Sequence, residues 1–171
     1  MVPSHKAVLL LGSNVDPEDN LVKAIRLLHG LGEIQKISSV WESQAVGAVA
    51  PNYLNASLVF LSTNDLAQLK EFVINPIEQV LGRSRSIDKY SPRTMDIDVI
   101  LFDNKPIKMD YWQSAFMLIP FSQVAPEYVN PITSVSVLLD AHRLKAQSWI
   151  RERPGVLDPV NDLDLQRPGS P

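Results

Sequence analysis

Two aspartates, Asp96 and Asp98, stand two positions apart in the stretch YSPRTMDIDVILFD, Tyr90 to Asp103. Side chains alternate along an extended chain, so this pair shares one face, with the carboxylates about 7 Å apart along the backbone. Like charges that close repel, and either a bound cation or ordinary solvation must relieve them. Just upstream, Arg83, Arg85, Lys89 and Arg93 form a basic cluster with Asp88 as its one acid, an anion site inside a chain of net charge -3. Paired carboxylates beside several cations suit nucleoside triphosphate chemistry, with oxygen ligands for Mg2+ and Arg or Lys for phosphate oxygens. The residues alone leave a second reading open, in which DID is the wetted face of an edge strand and the basic run a solvated loop. His5, His29 and His142 lack ligand spacing, and LLGSN, with one glycine, is no phosphate loop by itself.

The elements that must position these groups are legible in the apolar periodicity. Ala7 to Leu11 reads as a short buried strand broken by Gly12. A helix follows, with Asp16 as cap, Pro17 at its first position, Glu18 and Asp19 at its positive end, a stripe of Leu21, Ala24, Ile25 and Leu28, and a stop at Gly30. EIQKISSVW and YLNASLVFL read as two strands joined by the irregular loop ESQAVGAVAPN. A second helix runs from about Asp65 to Leu81, with Leu66, Leu69, Val73, Ile77 and Val80 on one side, a kink at Pro76 and Gly82 at its end. With the Asp96 strand the order is βαββαβ, which predicts an α+β, ferredoxin-like antiparallel sheet with helices on one face and C-terminal helical additions. If helices cover the Leu54 and Met95 faces, then Tyr53, Asn55, Asp96 and Asp98 share the other; an exposed sheet face ordinarily carries residues such as Tyr53 and Asn55, so a plain surface role stays open for them. PFSQVAPEYVNP reads as a short helical turn between prolines and ITSVSVLLDAHRLK as a third helix.

At 171 residues the chain is long enough for one domain that folds without staples. The absence of cysteine excludes thiol catalysis and zinc-thiolate sites. MVPSHK lacks the apolar run of a secretory signal, and no apolar run approaches the about 20 residues of a membrane helix, so a cytoplasmic protein without membrane contact is expected. The acidic balance argues against general nucleic-acid affinity.

GSN after the first strand, YLNA opening the third, LGRSR ending the second helix, and SPRTMDIDVILFD followed by FMLIPFSQVAPE together resemble the 6-hydroxymethyl-7,8-dihydropterin pyrophosphokinase family of folate biosynthesis, over roughly Ala7 to Leu144. The resemblance implies transfer of pyrophosphate from ATP, the co-substrate, to a reduced pterin, with AMP leaving. It implies two Mg2+ ions on Asp96 and Asp98, ATP contacts from Arg83, Arg85, Lys89 and Arg93, and pterin contacts from Tyr53, Asn55 and Phe116 with the backbone around Ser43 and Val46. Arg83, Lys89, Arg93, Asp96 and Asp98 are the expected catalytic set. Residues 1–153 are then one pyrophosphokinase-like domain, expected as a monomer, and 154–171 a proline-rich, poorly ordered tail. Family members usually carry Pro-His and an Arg in the connection before FMLIP; here KPIKMDYWQSA has Ser114 at the Arg position and no His, and Lys108 is the candidate substitute for ATP binding. Two alternatives remain: a divergent member with weak, altered or lost transfer, and an RNA-binding module of the same element order, although YLNASLVFL lacks the aromatic-rich basic signature of the latter.

Overall fold

The apolar run read as a first strand is the centre of β1 (His5–Ser13). It lies between β4 (Tyr53–Ser62) and β5 (Asp96–Phe102), antiparallel to both. Beyond β4 lie β2 (Glu33–Ile37) and β3 (Trp41–Ser43); β6 (Lys105–Pro106) pairs with β5, and β7 (Ile150–Glu152) with β3. The sheet order is β6-β5-β1-β4-β3-β7, with β2 paired to β4. This is a computed structural model, and it describes residues 4–47, 49–83 and 92–168.

EIQKISSVW, expected as one strand, is two. The break is fixed by Ser38, whose backbone N–H donates to Ser57 O at 2.9 Å while its hydroxyl oxygen accepts from Ser57 N–H at 2.8 Å. Helix α1 (Pro17–His29) starts at Pro17 and buries Leu21, Ala24, Ile25 and Leu28, as its stripe predicts. Asp16 is at the cap position but is left-handed, φ 41°, and its side chain makes no capping bond. The next helix comprises α2 (Leu66–Gln68), a π-helical stretch (Leu69–Ile74) and α3 (Asn75–Val80). The widened turn precedes Pro76, whose ring would collide with a carbonyl of a regular α-turn, and Asn75 N–H reaches back to Lys70 O. The extra residue rotates the downstream turns by about 100°. Val80, expected inside, is exposed, while Ile74 and Glu78 are buried.

Helices cover both faces of the sheet, not one. On the first face, Leu9, Leu11, Leu54, Ala56, Leu58, Met95, Ile97 and Val99 pack with α1 and the π-interrupted helix. On the second, Val8, Leu10, Val59 and Ile100 meet Trp112, Met117, Leu118 and Phe121. That layer is α4 (Ala115–Val124), backed by α5 (Val137–Gln147). Helix α4 runs through Pro120, where only a turn between prolines was expected. A register shift opposite Val8 and Leu9 lets Ile100 and Leu101 both join the second cluster, where strict alternation would separate them. Helices leave the second face open where the side chains of Tyr53, Asn55, Asp96 and Asp98 emerge.

The tail expected to be poorly ordered from Pro154 is instead held against the fold as far as Arg167, whose guanidinium donates to Leu157 O. Val156, Leu157 and Val160 are buried in the first cluster, and Leu163 and Leu165 lie against it. A 3-10 turn (Asp158–Leu163) docks on α1, with Arg26 donating to Asp162. A few spaced apolar residues suffice because the groove between α1 and the sheet already supplies the other wall.

Candidate active site

Register brings the site together. Gly12 of β1 stands between Asn55 of β4 and Asp96 of β5, and Leu10 stands between Ser57 and Asp98. Tyr53, Asn55, Asp96 and Asp98 line one cavity of about 460 Å3, together with Ser43, Val46, Tyr111, Ser114 and Phe116. A second cavity, of about 580 Å3, is lined by Glu78, Arg83, Ile107 and Lys108, and again by Asp96 and Asp98. The carboxylates therefore form a wall common to both. Gly12 permits a close approach, since a Cβ there would stand 3.0 Å from Asn55 Oδ1 and would press on that amide.

The aspartates are not a wetted strand edge. Their side chains are 14% and 19% exposed, and each is ion-paired. Arg83 Nη1 lies 3.0 Å from Asp96 Oδ1, Arg93 bonds Asp96 Oδ2, and Lys108 Nζ donates to Asp98 Oδ1 at 2.8 Å. Burial, and next the Asp96 charge, push the Asp98 carboxyl above its ordinary range, and Lys108 opposes them. Lys108, expected on phosphate, is thus placed on a carboxylate. Arg93 is held through its backbone, its N–H donating to Asn14 Oδ1 at 2.8 Å and its carbonyl accepting from Asn14 N–H at 3.0 Å. Thr94 beside it keeps a buried hydroxyl that no described residue satisfies. Arg85 and Lys89 lie outside the described residues.

Asn55 is buried, and its Nδ2 donates to Ser43 Oγ at 3.0 Å, so the amide is oriented before any ligand arrives. Phe116 meets Tyr111 edge to face at 5.0 Å between centroids. Tyr111 was not singled out in the sequence, although it lies five residues before Phe116 and Lys108 Nζ sits 4.6 Å over its ring.

Glu78 was also missed. Its Oε1 accepts from Ile97 N–H, between the two aspartates, at 2.8 Å, and its Oε2 pairs with Arg83. Burial pushes this carboxyl up, while the Ile97 N–H and the Arg83 charge pull it down. The left-handed Gly82, φ 84°, ends α3 and lets Arg83 N–H bond Glu78 O at 2.9 Å, which turns the guanidinium back toward Asp96. A carboxylate five residues before an arginine at a helix end was the available signal, but regular α-periodicity put Glu78 off the buried stripe.

A second buried carboxylate braces the cavity rim. Glu42 of β3 accepts from Arg151 and Arg153 of the C-terminal segment at 2.7 and 2.9 Å, and from Asn52, across the loop that begins at Gln44, at 2.9 Å. The Arg151 guanidinium first, then Asn52, pull its pKa from 4.5 down to about 2, against burial. A lowered carboxyl pKa stabilises the fold above the unfolded value and is lost as pH falls from about 4.5 toward about 2. The contribution is at most about 3 kcal/mol, less because water screens the exposed Arg151. Urea unfolding at pH 7 and pH 3 checks this: Glu42→Gln should destabilise at pH 7 and approach the parent protein at pH 3. An equal deficit at both values would show that Glu42 acts by packing alone.

An oxygen-rich pair of carboxylates ringed by guanidinium and ammonium groups fits a hard divalent cation carried on a phosphate chain. Among the described residues no cluster of three or more His, Cys, Asp or Glu forms a metal cage, so the remaining ligands would come from phosphates and water.

Residues 8–126 match the family model described as 7,8-dihydro-6-hydroxymethylpterin-pyrophosphokinase. The chain is 33% identical over 151 residues to a 2-amino-4-hydroxy-6-hydroxymethyldihydropteridine pyrophosphokinase of Synechocystis, covering 78% of this chain and 73% of that one. It is 33% identical over 132 residues to the protein of the same name in Aquifex aeolicus, covering 71% and 81%. Among solved structures it resembles Plasmodium falciparum HPPK-DHPS, with TM-score 0.66 at 12% identity, covering 85% of this chain and 45% of that one. At that identity the likeness concerns the fold alone, and this chain spans less than half of the two-part protein.

Proposed function

The chain belongs to the 7,8-dihydro-6-hydroxymethylpterin-pyrophosphokinase family, and from that premise we propose how its own residues carry the reaction. That reaction is transfer of pyrophosphate from ATP to 6-hydroxymethyl-7,8-dihydropterin, yielding the pterin diphosphate and AMP in folate biosynthesis. The observation that carries the assignment of roles is the shared wall: two cavities meet at Asp96 and Asp98.

The 460 Å3 cavity takes the pterin. Phe116 and Tyr111 supply aromatic surface for the flat ring, Asn55 reads its polar edge, and Tyr53 with the Ser43–Val46 segment closes the rim. The groove beside Glu78 and Lys108 takes ATP. Asp96 and Asp98 would hold Mg2+, two ions in this reading, and the metal would supply positive charge against that developing on the transferred group. Arg83 and Arg93, already aimed at Asp96, turn their remaining donors to the phosphates, joined by Arg85 and Lys89 from the neighbouring segment. Ser114, which lines the pterin cavity, offers no cation where the resemblance expects Arg, and Lys108 is the added charge in the adjoining nucleotide groove. No side chain is needed as a strong general base, and positioning with electrostatics carries the step. The order β5-β1-β4, with β2 and β3 outside β4, supports the ferredoxin-like reading of the sheet. The proposed form is a monomeric cytoplasmic enzyme whose working domain runs past residue 153 to include the core-packed segment through Leu165.

Incubation with ATP, Mg2+ and 6-hydroxymethyl-7,8-dihydropterin should release AMP in step with pterin diphosphate. Asn55→Ala and Phe116→Ala should each raise the pterin KM by roughly tenfold or more, the loss of one good contact, and change the ATP KM little. No AMP from the parent protein would favour a divergent binder without transfer. An equal loss for both substrates would remove the assignment of this cavity to pterin.

A further inference from the structure

The acidic and basic groups at the shared wall already neutralise one another before any ligand is present. Arg83 and Arg93 engage Asp96, Arg83 also engages Glu78, and Lys108 engages Asp98. A divalent cation approaching Asp98 meets an ammonium 2.8 Å from its Oδ1. These cations differ in how they are held. Arg83 is fixed by a buried carboxylate and by the turn at Gly82, and Arg93 by its two backbone bonds to Asn14. Lys108 is a point charge on a four-carbon stem in the irregular segment after β6, 28% exposed, with its Nζ between Asp98 and the face of Tyr111. Its backbone is anchored independently, the carbonyl accepting from Trp112 Nε1 at 2.8 Å, so the side chain can swing while the segment stays in place.

The geometry points to Lys108 as a displaceable counter-cation: its ammonium holds the Asp98 carboxylate until a metal–nucleotide complex arrives, then leaves that oxygen for the incoming phosphates. The inference rests on the reading of Asp98 as a metal ligand and of the adjoining groove as the nucleotide site. It makes Lys108 an antagonist of metal binding when nucleotide is absent and an aid when nucleotide is present, because the phosphate chain offers the displaced ammonium a new, multiply charged partner. A residue that serves only as a phosphate contact would have no effect on metal alone.

Calorimetry with Mn2+ alone, and separately with a non-hydrolysable ATP analogue in saturating Mg2+, tests this on the parent protein, Lys108→Met, Lys108→Arg and Asp98→Asn. Removing the competing ammonium should make Lys108→Met bind Mn2+ alone roughly tenfold tighter and the analogue roughly tenfold weaker, the scale of one charge-assisted hydrogen bond. Lys108→Arg keeps the charge and should retain the weak Mn2+ affinity of the parent, which separates competition from a change in packing around Tyr111. Should Lys108→Met bind Mn2+ no tighter while Asp98→Asn still abolishes binding, the counter-cation proposal is wrong and the metal-site reading stands. Mn2+ binding insensitive to Asp98→Asn in every background would overturn both, independently of whether AMP is released.

Discussion

Asp98→Asn should lower pyrophosphate transfer by roughly a thousandfold or more while the protein stays folded. The carboxylate stands in the wall between the two cavities, and losing its charge removes several kcal/mol of metal-mediated stabilisation, at about 1.36 kcal/mol per decade of rate. Its burial disfavours the ionised form, so the amide relieves a desolvation penalty as it gives up the bond to Lys108. The net change in stability should stay within about 1 kcal/mol. Asp96→Asn should be equally inactive but less stable, because Asp96 is the common partner of Arg83 and Arg93. AMP release measured beside urea unfolding separates the two effects. Undiminished AMP release by Asp98→Asn would remove the metal-ligand role.

Glu78→Ala should be the most damaging single truncation outside the carboxylate pair. It leaves the Ile97 N–H, between the aspartates, without its acceptor and frees Arg83 from the group that aims it. Breaking a buried pair by removing one partner is destabilising by about 3–5 kcal/mol, moderated here because Arg83 keeps Asp96. Glu78→Gln is the informative companion: it retains an acceptor for Ile97 but not the charge for Arg83, so most of the fold stability should survive while the ATP KM rises. The pH dependence carries a sign opposite to that of Glu42. Burial raises the Glu78 pKa, so its favourable neutral form is fully present below the unfolded value and lost as pH rises through the folded one. The parent protein should therefore gain stability relative to Glu78→Gln as pH falls. If Glu78→Gln matched the parent in both KM values, the carboxylate would be a structural strut with no part in aiming Arg83.

Much of the site is legible from local rules. A period of two places Asp96 with Asp98, and Tyr53 with Asn55, on one face of whatever strand they form, and Pro17 and Gly82 bound helices through their own backbone preferences. Those rules depend on neighbours in the chain, so the sequence by itself determined them, along with the family resemblance that the SPRTMDID stretch carries. Relations between distant segments were decided only in three dimensions. The π-helical turn before Pro76 rotates Glu78 inward and Val80 outward, a phase change of one residue that an α-helical periodicity cannot register. Lys108 reaches Asp98 because the β5–β6 hairpin folds the chain back on itself, and β4 joins β5 only through β1 between them. The polar-looking tail is ordered by the apolar groove it fills, so its state depends on α1 and the sheet more than on its composition. Whether Asp96 and Asp98 were solvated or compensated could not be read from their spacing, because the answer lay in guanidinium and ammonium groups that only the packed fold brings to them.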